Sequence, residues 1–402
     1  MTIIATTEAL AEFCERQKGA EFVTVDTEFM RESTYWPKLC LVQVAGPNEV
    51  AVIDALAEGI DLAPLDHLML DPAILKVFHA GRQDLEIFFQ RLGEVPKPIF
   101  DTQIAAMVCG FGESVGYETL VSSLTGGRLD KNSRLTDWSQ RPLTERQFAY
   151  AEADVVHLRT IYEKLKRRLD RTQRAEWLSG EMAILTDSAT YRADPQDSWL
   201  RLKPRSAKPR MLAVLRELAA WREREAQRRD VPRNRVVRDD ALLEIAGHAP
   251  KDAAALARTR GLSKGVAEGR HGAEILEAVA RGLALPDDQL PSAERRRDLP
   301  SGIGPITDLL KVLLKLRCEQ HNVAPKLVAS NSEIEEIAAG GGDGLLALSG
   351  WRYELFGRDA LAMKRGEMGL AVRNGRIEVV PIEAAPADSS RSPARNLEAT
   401  SF

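Results

Sequence analysis

Two segments in the first 170 residues show hydrophobic patterns typical of a β-strand and of an α-helix. In residues 21–29 (EFVTVDTEF), β-branched and aromatic residues dominate, which predicts a strand. In residues 146–166, apolar side chains recur every three or four positions in an Ala-rich stretch, which predicts an amphipathic helix. These two elements carry most of the polar residues considered below.

Beyond residue 170 the pattern is mostly helical. Residues 170–190 continue helix-like, and a connector rich in Pro, Asp and Arg follows. Further helices are predicted over residues 211–229, 239–246, 251–258 and 272–282, with loops at 231–237 and 260–265.

A weaker copy of this helical pattern starts at Leu309. It repeats a long helix, a Pro-containing loop and an E-I-A helix, which suggests a duplicated module. Asn374-Gly375 lies between two extended segments and predicts a β-hairpin. The last residues, 384–402, are small and polar, and a disordered tail is expected there.

Four carboxylates and one phenol form the candidate site. Asp26 and Glu28 are two apart in the predicted strand, so they project from the same side. Tyr150 and Asp154 are four apart in the predicted helix and share one face. Asp84 lies between these two segments. Clustered carboxylates need a cation to stay ionised together, and hard oxygen ligands suit Mg²⁺ or Mn²⁺.

Several other polar or aromatic residues are secondary candidates. Asp101 ends a short apolar segment and is either a helix N-cap, which we favour, or a carboxylate behind the metal ligands. Tyr35 and Trp36 are candidates for stacking on a terminal base, with packing against the first hairpin as the alternative. Contact with substrate phosphates is possible for three cations that precede the Tyr150 helix, Lys131, Arg134 and Arg141.

Taken together and in order, these motifs resemble the DEDD superfamily of 3′-to-5′ exonucleases in its tyrosine branch. The longer sequence words VDTEFMRESTYWPKLCLVQVA, FHAGRQDLEIF, FDTQIAAM, GYETLV and LDKNSRLTDWSQRPLTERQFAYAEADVVHL resemble the ribonuclease D family in particular. Residues 208–286 resemble the HRDC domain, a helical nucleic-acid-binding module, on the pairs Trp221-Arg222 and Val231-Pro232 and on Leu243-Glu244-Ile245-Ala246.

The resemblance implies a fold, a division into domains and a reaction. The fold is an α/β ribonuclease-H-like exonuclease domain with a mixed central sheet (1–170), followed after a connector (171–207) by two all-α HRDC-like domains (208–286 and 300–383). The expected reaction removes 5′-mononucleotides from the 3′ end of RNA by two-metal-ion hydrolysis. Precursor tRNAs and other small structured RNAs are the implied partners, and a monomer is favoured.

The resemblance also implies roles for the candidate site residues. Asp26, Glu28, Asp84 and Asp154 would hold two divalent cations, and Tyr150 would orient the attacking water. A free phenol has a pKa of about 10, so orientation is a more economical role than that of a general base. Ala149 occupies the position at which the histidine branch of the superfamily has its histidine.

Composition and charge agree with this picture. The chain of 402 residues carries a net charge of −4, but residues 1–100 are acidic, with 8 Lys/Arg against 16 Asp/Glu. Residues 201–280 are basic, with 18 Lys/Arg against 11 Asp/Glu, which suits phosphate binding. The four cysteines lack metal-ligand spacing and are expected to be reduced. Because neither a signal peptide nor a long apolar run is visible, a cytoplasmic location and no membrane partner are expected.

Three other functions were compared with this interpretation. A DNA 3′-to-5′ exonuclease would use the same kind of site, and a catalytically silent RNA-binding scaffold would keep the fold without hydrolysis. A phosphotransfer enzyme would need a Gly-rich phosphate loop, and neither G-x-x-x-x-G-K-[ST] nor G-x-G-x-x-G is present in the sequence. No small-molecule cofactor is expected.

Overall fold

A mixed β-sheet forms the centre of the first part of the chain in the computed structural model, which describes residues 2–129, 136–204, 208–291 and 300–382. Its six strands are β1 Thr2–Ile4, β2 Phe22–Met30, β3 Lys38–Ala45, β4 Val50–Asp54, β5 Leu75–Phe78 and β6 Ile99–Asp101. Their spatial order is β1-β4-β3-β2-β5-β6, and β2 pairs antiparallel with β3 and parallel with β5. The mixed central sheet expected from the resemblance is confirmed.

Helices cover both faces of this sheet. The helices of this region are α1 Thr7–Gln17, α2 Ala63–Leu70, α3 Arg82–Leu92, α4 Thr102–Val108, α5 Tyr117–Leu120 and α6 Glu145–Thr172. Val23 and Val25 of β2 belong to a buried cluster with residues of α1, α2 and α3. The alternate residues face α6, where the Thr24 hydroxyl donates to the Val155 carbonyl at 2.8 Å. Asp26 and Glu28 share this second face.

Helix α6 has a strong start signal and a continuous apolar stripe. The Thr144 side chain accepts from the Gln147 N–H while the Gln147 side chain reaches back to Thr144, which makes a capping box. Buried side chains then recur at helical spacing: Ala151, Asp154, Val155, Leu158, Ile161, Tyr162, Leu165 and Leu169. The predicted helix over 146–166 is therefore confirmed, and it is longer than predicted.

The first helical module, residues 208–286, packs around its own apolar cluster. After α7 Ser179–Thr186, its helices are α8 Pro209–Arg229, α9 Arg233–Val236, α10 Asp239–His248, α11 Ala253–Leu256, α12 Lys264–Glu268 and α13 Arg270–Ala284. The predicted loops at 231–237 and 260–265 were partly wrong, because α9 lies inside the first and α12 begins in the second. The predicted third helix shrinks to α11. Helices of one turn bury too few side chains to show a periodicity.

The second helical module, residues 300–382, repeats part of this backbone path at an offset of 92 residues. Its elements are α14 Gly304–His321, α15 Pro325–Val328, α16 Asn331–Ala339, α17 Gly350–Arg352, α18 Arg358–Lys364, β7 Met368–Arg373 and β8 Arg376–Pro381. The long helix ends at a left-handed residue in both modules, Asp230 (φ 48°, ψ 51°) and Asn322 (φ 50°, ψ 55°). In each module an extended residue then follows before the third helix: Val237 precedes α10 and Ala329 precedes α16, and the backbone torsion angles of these two residues are nearly equal. The predicted hairpin at Asn374-Gly375 is confirmed by the β7–β8 pairing.

The chain divides into two compact units. One contains Met1–Cys109 and Ser114–Arg297, so the sheet and the first helical module belong to the same unit, and the other contains Gly110–Glu113 and Asp298–Phe402. The domain boundaries proposed from the sequence remain predictions.

All four cysteines are buried and free. Among the described residues, none of the helices has the length and apolar character needed to cross a membrane. The expected disordered tail, 384–402, lies outside the described residues.

Candidate active site

Three carboxylates converge on one point at the face of the sheet beneath α6. Asp26 and Glu28 come from alternate positions of β2, and Asp154 comes from the second turn after Gln147 in α6. One carboxylate oxygen from each of these residues lies within 4.8 Å of the others. The spacing of two in a strand and the apolar stripe of a helix therefore produce the cluster predicted from the sequence.

Asp84 joins the same cleft from the opposite side of β2. The Thr27 hydroxyl donates to its carboxylate at 2.5 Å, and Asp84 is buried in the first turn of α3. Asp26, Glu28, Asp84 and Asp154 all line this cleft. Thr27 points away from Asp26 in the strand, so β2 presents ligands to one side and a support for Asp84 to the other.

The turn before α3 is held by Asp101. Its carboxylate accepts from the N–H groups of Ala80 at 3.1 Å and Gly81 at 2.8 Å, while it also caps α4 through Gln103 N–H at 2.8 Å. Ala80 adopts a left-handed backbone (φ 54°), which is uncommon for a residue with a Cβ. At Gly81 a Cβ would lie 2.5 Å from the Cβ of Phe78, so only glycine fits. The favoured N-cap role of Asp101 is confirmed, and the carboxylate in addition sets the start of the helix that carries Asp84.

Burial and mutual repulsion shift the pKa values of the carboxylates upwards. Burial, and then the negative charges of Asp84, Asp154 and Glu28, raise the pKa of Asp26 well above its usual range. Burial also raises the pKa of Asp84 to about 6, although the hydrogen bond from Thr27 opposes this shift. A cluster of this kind is stable in its fully ionised form only when positive charge is bound between the carboxylates.

Two tyrosines flank Asp154. Tyr150 lies one turn before it in α6 and hydrogen-bonds its carboxylate, and burial and the nearby carboxylates raise the pKa of this phenol above its usual value. The Tyr117 hydroxyl donates to the backbone carbonyl of Asp154, and burial likewise raises the pKa of Tyr117. Both phenols therefore stay protonated near neutral pH, and both can act as hydrogen-bond donors.

The cluster opens into a cleft of about 990 Å³, a size typical of sites that take small molecules or the end of a polymer. Besides the carboxylates, its walls include Tyr150, Tyr117, His79 and Trp138. His79 Nδ1 lies 3.0 Å from the Thr102 hydroxyl, and burial lowers the pKa of this imidazole. His79 is therefore a neutral, packed wall residue of the cleft.

The structure does not bring the predicted stacking pair into the cleft. Tyr35 is buried, with 5% of its surface exposed, and its hydroxyl donates to Glu223 of α8. Trp36 packs edge-on against Tyr35, with ring centroids 4.6 Å apart. The prediction that Tyr35 stacks on a base was wrong, because the ring is used in packing. Its partners include Glu223 and Gln227 of α8 as well as Trp36 of the same β2–β3 connection.

Arg141 is likewise occupied by internal contacts. Its guanidinium donates to both oxygens of Asp54 at 2.6 Å each, and to the carbonyls of Cys40, Trp138 and Gln140. Because its donors already have acceptors within the protein, the structure does not support phosphate binding by this residue, and this contact stays a prediction. Two other predicted phosphate contacts, Lys131 and Arg134, lie outside the described residues.

Sequence reasoning missed two residues that support the ligands, Thr27 and Tyr117. Each acts through a hydrogen bond to a residue distant in sequence, and neither carries a local spacing signal. Both residues nevertheless fall within words that carried the family resemblance, Thr27 in the word that begins VDTEF and Tyr117 in GYETLV.

The donor set suits a divalent cation. Its ligands are carboxylate oxygens without a thiolate or imidazole among them, which matches the preference of Mg²⁺ and Mn²⁺. The raised pKa values of Asp26 and Asp84 point the same way, because a bound cation would favour the ionised forms that burial and neighbouring acidic charges disfavour.

A mixed sheet that presents an Asp-x-Glu pair beside a helix with Tyr-x-x-x-Asp defines the class of metal-dependent 3′-to-5′ exonucleases. Residues 1–170 match the family model described as 3′-5′ exonuclease, and residues 211–279 match the HRDC domain. The chain is 53% identical over 380 residues to ribonuclease D of Granulibacter bethesdensis, which covers 94% of this chain and 96% of that protein. It is 54% identical to ribonuclease D of Gluconacetobacter diazotrophicus over 379 residues, again 94% of this chain and 96% of that protein.

A solved structure agrees with these sequence relatives. The crystal structure of Escherichia coli RNase D, an exoribonuclease involved in structured RNA processing, superposes with a TM-score of 0.77 at 33% identity, covering 90% of this chain and 98% of that one. This chain belongs to the ribonuclease D family. It is a hydrolytic exoribonuclease that degrades RNA from the 3′ end.

Proposed function

We propose that this exoribonuclease trims the 3′ trailers of precursor tRNAs and other small structured RNAs, releasing 5′-mononucleotides. The convergence of the Asp26, Glu28 and Asp154 carboxylates, with Asp84 in the same cleft, is the observation that carries this proposal. The substrate class is supported by the similarity to E. coli RNase D, which is involved in structured RNA processing.

Two divalent cations, Mg²⁺ or Mn²⁺, would be held by these carboxylates. Asp26, Glu28 and Asp154 would hold one ion, and Asp84, in the same cleft, would contribute to holding the second together with Asp26. When bound, such ions lower the pKa of a water molecule and neutralise charge on the scissile phosphate and the leaving 3′-oxygen.

Tyr150 would orient the attacking water. Its phenol stays protonated near neutral pH, because burial and the carboxylates raise its pKa, so it serves as a positioning group and not as a base: its single O–H donates to Asp154, and its oxygen would accept from the water. The Asp154 carboxylate, to which it is hydrogen-bonded, fixes the direction of the phenol. Tyr117 would hold the same turn of α6 through the Asp154 carbonyl.

The helical modules would bind the body of the RNA. The excess of basic residues between positions 201 and 280 suits phosphate contacts by the first module. The repeated backbone path at an offset of 92 residues supports the second module as a diverged HRDC-like copy. We propose further that the protein acts as a monomer in the cytoplasm.

A time course on a 3′-extended tRNA precursor tests the proposal. Wild type and Asp26→Ala are compared with Mg²⁺, Mn²⁺ or EDTA, alongside a DNA oligonucleotide of the extension sequence. We expect a metal-dependent ladder from the 3′ end of the RNA, absent in the variant, with binding of the RNA largely retained. Glu58→Ala, which removes an exposed carboxylate outside the cleft, is the matched control and should digest the RNA like wild type.

Three outcomes would change the assignment. Equal digestion of DNA would make the protein a general 3′ exonuclease. Absence of hydrolysis of either strand, with RNA still bound, would favour a scaffold. If Asp26→Ala lost binding and turnover together, misfolding or a role restricted to binding would explain the data better than catalysis does.

A further inference from the structure

The connection between β2 and β3, residues 31–37, lies directly beside the metal-ligand strand. It begins three residues after Glu28, and Met30, Arg31 and Glu32 line the cleft. A register shift between Glu28 and Phe29 separates the last two residues of β2, Phe29 and Met30, from the part of the β2–β3 ladder that holds Asp26 and Glu28. The position of β2's last residues therefore depends on what holds this connection as well as on the sheet.

One end of the connection is tied to the helix that carries Asp84. Arg31 makes a two-pronged ion pair with Glu86 of α3, with distances of 2.8 and 2.9 Å. Glu86 is two residues after Asp84, so this pair links the strand of Asp26 and Glu28 to the helix of the fourth carboxylate.

The other end is tied to the HRDC domain. Asp230, the left-handed residue that ends α8, accepts from the backbone N–H groups of Tyr35 and Trp36 through one carboxylate oxygen, at 3.0 Å each. Hydrogen bonds to a charged acceptor are roughly twice as strong as those between neutral groups. Two consecutive backbone groups of the connection are thus fixed by one side chain of α8.

The buried Tyr35 side chain reinforces this junction. Its hydroxyl donates to Glu223, whose side chain is fully buried, and accepts from Arg233 at 2.9 Å. Arg233 also donates to both oxygens of Glu223 at 2.6 Å and covers the Tyr35 ring, with 4.6 Å between its guanidinium carbon and the ring centroid. A buried charge of this kind is costly unless it is fully paired, so the network has one favoured arrangement.

We propose that Tyr35, Glu223 and Asp230 are positioning residues through which the HRDC domain fixes the edge of the catalytic cleft. The kinetic test of this inference rests on the proposed function, whereas the hydrogen-exchange test does not. In this arrangement α8 is a support for the metal-ligand strand, in addition to any contact of the domain with RNA. Loss of the support would displace the reacting groups, and small displacements near reacting groups cost large factors in rate.

Asp230 offers a matched pair of variants. Asp230→Gly removes the acceptor but keeps the left-handed backbone, which glycine adopts readily at the end of a helix. Asp230→Asn keeps both an acceptor oxygen and a residue that tolerates this backbone. Hydrogen exchange of residues 31–37 is measured first on the full chain without metal or RNA. We expect exchange of the Tyr35 and Trp36 amides about tenfold faster in Asp230→Gly, the size expected for loss of about one hydrogen bond, and a smaller increase in Asp230→Asn, whose neutral oxygen is a weaker acceptor than the carboxylate.

Steady-state kinetics on a 3′-extended RNA supply the second readout. In Asp230→Gly we expect kcat to fall by about tenfold with KM nearly unchanged, as is typical for displaced reacting groups. Asp230→Asn should restore kcat, and the thermal midpoints of both variants should stay near that of wild type. A risen KM at constant kcat would mean that Asp230 contacts RNA, and would overturn the proposal.

Tyr35→Phe keeps the ring and removes only the hydroxyl, so it tests the same junction if Asp230→Gly does not fold. It should lower kcat in the same direction by a smaller factor, since Arg233 still pairs with Glu223. Unchanged kcat and unchanged exchange in both variants would refute the positioning role. A wild-type protein that failed to digest any RNA would contradict the proposed function, while the exchange comparison would still decide the role of the junction.

Discussion

The Asp26 and Asp84 carboxylates lie where their ionised forms are unfavourable unless a cation is bound. Asp26 and Asp84 are both buried enough for their pKa values to rise, and each also feels the charge of other acidic residues. Thr27 gives Asp84 a hydrogen bond that favours its ionised form, but this opposes only part of the shift. The cluster therefore combines metal affinity with a cost in stability, which is common at functional sites.

Tyr150→Phe should lower kcat by about a hundredfold, the lower end of the range for a group that assists proton transfer. The phenol is protonated and faces Asp154, so the variant loses an oriented donor and keeps the packing of the ring. Rates are measured on a 3′-extended RNA, together with the dissociation constant of that RNA in EDTA.

The dissociation constant should not change, because the phenol is only one of many groups facing the RNA end. Tyr162→Phe, on a buried tyrosine of the same helix outside the cleft, is the control and should leave kcat near wild type. If Tyr150→Phe also left kcat unchanged, the phenol would have no role in orienting the water.

Asp84 should make the metal-free protein less stable as the pH rises from about 4 to about 6. Its pKa is about 6 in the folded protein and about 3.9 in an unfolded chain. Between these values the folded state binds more protons than the unfolded state, so the free energy of unfolding falls with rising pH. Urea unfolding in EDTA at several pH values measures this slope, and Asp84→Asn should remove part of it. A slope equal in variant and wild type would contradict the shifted pKa.

Residue positions were predictable where a local spacing fixes them. Asp26 with Glu28, and Tyr150 with Asp154, follow from periods of two and 3.6 residues. The roles of Tyr35 and Arg141 were not predictable, because Glu223 is 188 residues from Tyr35 and Asp54 is 87 residues from Arg141. The residues that neighbour a side chain in sequence do not show whether that side chain is exposed in a loop or buried in an ion pair.

At the scale of elements, β2 and α6 carry the site and were both predictable from their patterns. The capping box at Thr144 begins α6 and lies ten residues before Asp154. A substitution at Thr144 therefore tests the first turn of the helix without changing the candidate metal ligand. Thr144→Ala should lower the free energy of unfolding by about 1 kcal/mol, the usual loss for an N-cap. Urea unfolding of the full chain measures this, and activity at low temperature should stay near wild type.

Thr144→Ser retains a capping hydroxyl and is the matched control, with stability close to that of wild type. Equal stability of Thr144→Ala and Thr144→Ser would show that the capping box contributes nothing. A loss of activity without a loss of stability would instead mean that the first turn of α6 orients Tyr150.

Elements of one turn could not be located from sequence alone. Helices α9, α11 and α12 each span four or five residues, and their positions depend on packing within the first helical module. The longer helices α8, α10 and α13 overlap their predicted ranges, because each buries a stripe of apolar side chains on a shared cluster. Tertiary contacts thus decide the short elements, and periodicity decides the long ones.

At the scale of the whole molecule, the nuclease sheet and the HRDC domain belong to one compact unit. Sequence comparison treats these regions as separate matches, residues 1–170 and 211–279. The buried Tyr35 network lies between them within the unit, so neither region presents the surface that it would have alone. The family-model matches show which regions share an origin with other proteins. The compact units show which regions pack together, and in this chain the two kinds of boundary do not coincide.

Divalent cations should stabilise this unit, because they bind the folded cluster and not the unfolded chain. At a free concentration 100 times the dissociation constant, the gain is about 2.7 kcal/mol, seen as a rise in the thermal midpoint of the metal-free protein. Asp26→Asn should unfold at a higher temperature than wild type in EDTA, since it removes a repelled buried charge, and should show little rise with Mg²⁺ or Mn²⁺. Calorimetry with and without each ion measures both effects, and Glu58→Gln is the control that should behave like wild type. If Asp26→Asn gained as much from the ions as wild type does, the carboxylate cluster would not be their binding site.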